Sequence, residues 1–402
     1  MLKCKFVSVF RLTNQLIMYF IFAALSSFSV GFLITPIVIS ALKKANIGDV
    51  PGGRKIHTSF TPSMGGIGFV IATFVALAIW GWQFPVPDIR YLLGAIALMF
   101  FVGLRDDMVE LKAKHKLLGQ CVAVLLVVVA GDIRIQDFHG FLGLYEIPLL
   151  LSYGFSAFVL LALTNAFNLI DGLDGLAGTI AAISLSLLGG WFYIQGLDSL
   201  AVLSLTLLGS VLAFMVYNWH PAKIFMGDTG SLTLGFALGS LLVAFMGHNA
   251  ALPQGAFLKL EPSFTAGVVL MIYPLYDMAR VFARRISQGK HPMTADKSHV
   301  HHFLMRMGFK HNQVALMLGF LQLVLIFMVF VLGDFSDNLV LPILSGIVLG
   351  LGFLLERVTL KYVKKRVRNS PRVLEMRPLI ASQKVKVKLN NQTVESGSMN
   401  LN

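Results

Sequence analysis

Residues 231–247 read SLTLGFALGSLLVAFMG, an uncharged run entered through Phe225-Met226-Gly227-Asp228-Thr229-Gly230. As a helix this run comes close to the roughly 20 apolar residues that cross the hydrocarbon core of a bilayer. Outward from it lie ten more apolar blocks, at 16–41, 64–82, 91–104, 117–130, 148–164, 176–194, 200–217, 264–279, 312–332 and 339–355. Of these, 91–104 and 117–130 are short for full spans. Across 402 residues, 56% are hydrophobic and 13% charged, about half the charged share of an ordinary soluble domain. Lipid is therefore the solvent for most of the chain. The expected fold is an all-α polytopic membrane protein of about 11 transmembrane helices. It divides into a short N-terminal segment 1–15, one membrane domain 16–355 and a basic, disordered tail 356–402. Gly65-Gly66 and Gly189-Gly190 predict close helix packing in lipid. Pro36 and Pro274 fall inside apolar blocks, where neighbouring helices satisfy the freed backbone groups.

The net charge of +13 would suit nucleic acid in a soluble protein. In a membrane protein it reads instead as cationic loops retained in the cytoplasm, so no nucleic-acid partner is expected. Most of the 33 lysines and arginines fall in alternate loops, at 43–63, 105–116 and 280–311, and after 356. Those loops are assigned to the cytoplasm, which makes the chain a multi-pass membrane protein. Lys3, Lys5 and Arg11, ahead of the first block, pull the other way. The two cysteines, Cys4 and Cys121, form neither a C-x-x-C pattern nor a metal cage.

Acidic groups at membrane depth are costly and need a reason. Here they gather in four places, all on the side assigned to the cytoplasm. The first is Arg105-Asp106-Asp107, followed by His115 and Lys116; adjacent carboxylates repel and invite a cation. The second is Asn165-Ala-Phe-Asn168-Leu-Ile-Asp171-Gly-Leu-Asp174-Gly, whose polar oxygens recur every three residues along one helical face. That pattern suits a hard divalent ion and phosphate oxygens. The third runs from Asn218 and His220 through Phe225 to Asp228, Thr229 and Ser231. It reads equally as a helix cap and as a carboxylate aimed at a metal beside a phosphate-attracting helix start. The fourth holds Asp277, Arg280, Arg284, Arg285, Lys290 and the His299-Val300-His301-His302 run. With no cysteine or nearby glutamate to complete a zinc set, a diphosphate-binding loop is the favoured reading. A further basic loop, Arg54-Lys55-Ile-His57, faces the same side. Neither a P-loop nor a dinucleotide-binding glycine fingerprint is present, which argues against a nucleotide-driven pump. With the acids at one interface and no repeated halves, a transporter or flippase is disfavoured.

These motifs, in this order over about residues 20–330, resemble the polyprenyl-phosphate N-acetylhexosamine-1-phosphate transferases. The H-V-H-H spelling is similar to the UDP-HexNAc branch rather than the phospho-MurNAc-pentapeptide branch, which stays as the alternative. The resemblance implies a cytoplasm-facing cleft, Mg2+ dependence (with Mn2+ as substitute) and transfer of HexNAc 1-phosphate from UDP-HexNAc to undecaprenyl phosphate with release of UMP. GlcNAc is the expected sugar, and the step would initiate a cell-envelope polysaccharide such as O-antigen. It further implies Asp228 and Asn168 as metal ligands, and Asp106, Asp107 and Asp171 as catalytic carboxylates. Asp174, Asn218 and Phe225 would hold the uridine. Lys116, His299, His301 and His302 would bind phosphates and sugar, with Arg54, Lys55 and His57 as further substrate-binding residues. Membrane lipid is an expected partner, and homodimerisation is left open. Phosphate oxygens are already anionic near neutral pH, so orientation by Asp106 is favoured over proton abstraction.

Overall fold

The computed structural model describes residues 2–49, 60–291 and 299–368. Thirteen α-helices follow in order: α1 (Leu2–Lys44), α2 (Gly66–Trp80), α3 (Arg90–Met108), α4 (Ala113–Leu125), α5 (Leu149–Ile170), α6 (Leu176–Ile194), α7 (Asp198–Asn218), α8 (Gly227–Ala251), α9 (Ser263–Val269), α10 (Ile272–Ser287), α11 (Val300–Arg306), α12 (His311–Val331) and α13 (Asp337–Arg368). Among the described residues nine helical stretches are long and apolar enough to cross a membrane, or ten if α9 and α10 form one bent span. Helix α3, whose block 91–104 is also expected to span, is not among them, since Arg90, Arg105, Asp106 and Asp107 lie at its ends. The chain is thus a multi-pass membrane protein. Among the described residues β-structure is limited to β1 (Gly48–Asp49) antiparallel to β2 (Thr61–Pro62) and an isolated bridge between Asp137 and Glu146.

Helix α8 is the axis of the bundle. Over its apolar window 94% of residues are buried, against 11% for α13 and 22% for α1. Helices α2, α3, α5 and α9 pack around it. Two hydroxyls of α8 cost little in this apolar setting because they bond back to their own turn: Thr233 Oγ1 donates to Thr229 O at 2.6 Å and Ser231 Oγ to Gly227 O at 2.9 Å. Glycines let the backbones close. A Cβ on Gly66 would strike the α8 backbone at Gly230, and one on Gly103 would strike it at Asp228. Of the second glycine pair, Gly189 packs on Leu205, whereas a Cβ on Gly190 would meet only open space.

Two expectations change. The block 264–279 is not one straight span; α9 and α10 meet at 80°. The buried carbonyl of Leu270, which meets no N–H at Pro274, accepts from Ser184 Oγ at 2.7 Å and from Gln322 Nε2 at 2.7 Å, so neighbouring helices replace the lost helical bond. The tail expected to be disordered from residue 356 instead continues α13 as helix to Arg368. Residues 369–402 lie outside the described residues.

Candidate active site

The polar clusters meet at one end of the bundle, where α3 and α5 finish and α8 begins. Gly227 starts α8 with φ of +71°, a left-handed backbone that glycine adopts without strain. A Cβ there would lie 2.6 Å from Asp107 Oδ2, so the turn also needs the missing side chain. The turn lets Asp107 reach the first free N–H groups of α8. Asp107 Oδ1 accepts from Asp228 N at 2.9 Å, and Oδ2 from Thr229 N at 2.8 Å and Thr229 Oγ1 at 2.5 Å. A carboxylate at a helix N-terminus satisfies orphan donors and complements the dipole. Asp107 is thus engaged with α8 and fixes where Asp228 stands.

Lys116, on the first turns of α4, sits between two carboxylates. Its Nζ lies 2.8 Å from Asp106 Oδ2 and 2.8 Å from Asp228 Oδ2. Asp106 also accepts from Leu111 N at 2.7 Å. From α5, Asn168 Nδ2 donates to Asp228 Oδ1 at 2.5 Å and to Ser231 Oγ at 2.7 Å. Asn165 belongs to the same sequence pattern but turns away: its amide exchanges two hydrogen bonds with buried Gln120 of α4. That pair ties α4 to α5 one turn from both Lys116 and Asn168.

Asp107, Asn168, Asp171, Asp174, Asn218, Phe225 and Asp228, with Ser63 and Gly172, line a cleft of about 340 Å³. Asp171 ends α5 there. Burial, then the charges of Asp228, Asp107 and Asp174, push its carboxyl well above the usual carboxylate range. Asn218 braces the cleft wall, accepting from Gly175 N at 2.9 Å and donating to Ile224 O at 2.9 Å. Asp174 is buried and accepts from His220 Nδ1 at 2.7 Å. A larger cavity of about 930 Å³ opens at the other end of the bundle, lined by Asp132, Arg134, Asp137, Glu146 and His248 among others, and holds none of the motif residues.

The histidine run comes in over the α5–α6 turn. His299 Nδ1 lies 2.8 Å from Asp277 Oδ2, and Val300 N donates to the same carboxylate at 2.9 Å. The rings of His301 and His302 stand 4.4 Å apart. His301 faces Gly172, where a Cβ would lie 3.3 Å from its Nε2. Burial, then the neighbouring His302, lower its pKa to about 3, so its ring is neutral at physiological pH. Arg54, Lys55 and His57 lie outside the described residues. Sequence reasoning missed Gln120, Ser63 and His311. Gln120 had a signal, a polar residue on the apolar helix α4; His311 had none, since its partner, Asp174, is far along the chain.

Residues 89–246 match the family model described as "Glycosyl transferase family 4". Over 295 residues, 71% of this chain and 77% of the relative, the sequence is 33% identical to a Bacillus subtilis (strain 168) protein named "Probable undecaprenyl-phosphate N-acetylglucosaminyl 1-phosphate transferase". It is 30% identical to the "Undecaprenyl-phosphate alpha-N-acetylglucosaminyl 1-phosphate transferase" of Yersinia pestis over 82% of this chain and 86% of that one. The protein of that name from Escherichia coli O157:H7 is 27% identical over 82% of this chain and 90% of its own length.

Proposed function

The chain belongs to glycosyl transferase family 4, among the polyprenyl-phosphate N-acetylhexosamine-1-phosphate transferases, and we propose that it transfers GlcNAc 1-phosphate from UDP-GlcNAc to undecaprenyl phosphate, releasing UMP. The observation that carries the reading is the convergence of Asp107, Asn168, Asp171 and Asp228, from three separate motifs, on one cleft, with Lys116 bridging Asp228 to Asp106 at its rim. The reaction would initiate a cell-envelope polysaccharide at the cytoplasmic face of an inner membrane. The concentration of lysine and arginine in loops on the site's side supports that orientation.

The donor set fits a hard divalent cation such as Mg2+, with Mn2+ as substitute. It is all oxygen, with the carboxylates of Asp107, Asp171 and Asp228 facing one cleft. Asp228 and Asn168 would hold the ion, with Asp171 beside them. The amide nitrogen of Asn168 is engaged by Asp228 and Ser231, so it would bind through its carbonyl oxygen. Bound there, the ion supplies positive charge to diphosphate oxygens.

The chain's own residues do the positioning. Asp107 holds the start of α8 and so aims Asp228. Asp106, bonded to Leu111 N and Lys116, keeps the lysine ammonium at the cleft rim, where it meets a phosphate. Asp174, Asn218 and Phe225 form the wall that would take the uridine. The lipid phosphate then attacks the phosphorus next to the sugar in line, its oxygen forming the new P–O bond as the bond to UMP breaks. Because the attacking oxygen is already anionic, alignment and charge neutralisation carry the step. His301, neutral and facing Gly172, would hydrogen-bond the sugar or its phosphate.

The test is donor competition. Purified protein given UDP-GlcNAc and UDP-MurNAc-pentapeptide together with undecaprenyl phosphate should form only the GlcNAc-bearing lipid. Product from the pentapeptide donor would move the chain to the other branch, and no lipid product from either would remove the reading.

A further inference from the structure

Asp174 is gripped from two directions by residues that the transfer reaction has not absorbed. His220 Nδ1 lies 2.7 Å from Asp174 Oδ2, and His311 Nδ1 lies 3.2 Å from the same oxygen. The two rings stand 4.7 Å apart, tilted by 37°, and one ligand atom from each of the three residues lies within 4.8 Å of the others. The three come from separate parts of the chain: the turn between α5 and α6, the loop after α7 and the first residue of α12. Asp174 and His311 are buried, and His220 is half-buried.

Two imidazoles and one carboxylate are a donor set for borderline-soft ions, with a fourth position left for water. Bonds of about 2.0–2.2 Å at tetrahedral angles put ligand atoms roughly 3.3 Å apart. The 3.2 Å contact already has that spacing, the 2.7 Å contact needs to open by roughly 0.6 Å, and all three ligand atoms lie within 4.8 Å of one another. The set differs in kind from the group around Asp228, where every ligand is oxygen and a lysine stands close. Nitrogen ligands select Zn2+-like ions, whereas an oxygen cage suits Mg2+.

We propose that Asp174, His220 and His311 form a binding site for a transition-metal ion of the Zn2+ class, distinct from the Mg2+ position at Asp228 and Asn168. The ion would staple the α5–α6 turn and the α7–α8 loop, already joined by Ala222 N donating to Asp174 Oδ2 at 3.4 Å, to the start of α12. Asp174 also lines the cleft, so occupancy withdraws its carboxylate from the substrate. Zn2+ therefore inhibits transfer in a way that added Mg2+ does not relieve. That consequence alone rests on the function proposed above; binding does not.

The experiment accordingly reads the metal rather than turnover. Tag-free, full-length protein in detergent is stripped with chelator and titrated with Co2+ in excess Mg2+. The expected result is one equivalent of Co2+ with the visible absorption of a tetrahedral site, displaced by one equivalent of Zn2+. His220→Ala and His311→Ala each weaken binding at least tenfold, while Asp228→Ala leaves the spectrum unchanged. His311→Cys keeps a ligand at that position, so it retains binding and adds a near-ultraviolet thiolate-to-cobalt band absent from the native protein. That gain of signal cannot come from misfolding or from a hydrogen-bonding role. Absence of the visible band, its persistence in His311→Ala, its loss in Asp228→Ala, or the lack of a thiolate band in His311→Cys would each overturn the proposal.

Discussion

Asp107→Asn removes one charge and one acceptor from the start of α8 while keeping the shape of the side chain. The native carboxylate accepts three hydrogen bonds, from Asp228 N, Thr229 N and Thr229 Oγ1. An asparagine can turn its carbonyl toward the two Thr229 donors, but its NH2 group then faces the N–H of Asp228. One half-buried donor is left without a partner, which costs about 1–3 kcal/mol. Loss of negative charge at the helix N-terminus adds about 0.3–1 kcal/mol. A total near 3 kcal/mol, felt where Asp228 is aimed, corresponds to roughly a hundredfold in rate. The assay is UMP release as a function of Mg2+ concentration, beside thermal unfolding of the same preparation in detergent. The variant should unfold at lower temperature, turn over roughly a hundredfold more slowly, and need more Mg2+ for half-maximal rate. A variant with native thermal stability and native Mg2+ requirement but lost turnover would refute this reasoning, because Asp107 would then be acting on the substrate itself and not through α8.

Lys116→Met should lower turnover by about 10²–10³-fold, the range for removing a preorganised charged or hydrogen-bonding group; it also leaves Asp106 and Asp228 facing each other without their shared cation, so stability should fall by about 2 kcal/mol, between the values for exposed and buried pairs. Steady-state kinetics and melting curves check both, and a Lys116→Met enzyme with native turnover would sink the assignment. Asp106→Asn should lose rate at every pH, because its oxygens are committed to Leu111 N and Lys116; a rate restored by raising the pH would instead mark general-base catalysis. His301 binds its proton far more weakly folded, with a pKa of about 3, than unfolded near 6.5. Its contribution to stability is therefore complete above pH 6.5 and is lost as pH falls toward 3, at about 1.4 kcal/mol per unit in between. Melting temperature followed from pH 7 to 5 should fall less steeply in His301→Gln than in the native protein, and identical slopes would contradict a buried neutral ring.

Much of this was legible in order along the chain. Each apolar block became a helix because a backbone in lipid must satisfy its own hydrogen bonds. The clusters around Asp106, Asn168 and Asp228 met at one end because the blocks alternate direction. The sequence could not distinguish lipid from protein as the surroundings of an apolar face: 231–247 belongs to the most enclosed helix and 339–355 to one of the least, yet both read as spans. Pro274, which offers no N–H to the Leu270 carbonyl four residues earlier, marked a disturbance in this block, but the sequence could not give the 80° angle between α9 and α10. What stabilises the break, Ser184 and Gln322 on the Leu270 carbonyl, comes from other helices. The same holds at the site. The resemblance puts Asp106 and Asp107 together as catalytic carboxylates; the structure shows their side chains engaged with different elements, one capping α8 and the other holding Lys116. Asn165 fits the three-residue rhythm of its neighbours but points to Gln120, since α4 packs against that side of α5. Periodicity gives the face of a helix, and only packing says which neighbour fills it.

The most direct test of the central claim is release of UMP from radiolabelled UDP-GlcNAc by the purified protein, with and without undecaprenyl phosphate, with and without Mg2+, beside Asp228→Ala. The account predicts turnover that requires both the lipid and the ion and is lost in the variant. UMP release that proceeds without the lipid phosphate, or at the native rate in Asp228→Ala, would contradict it.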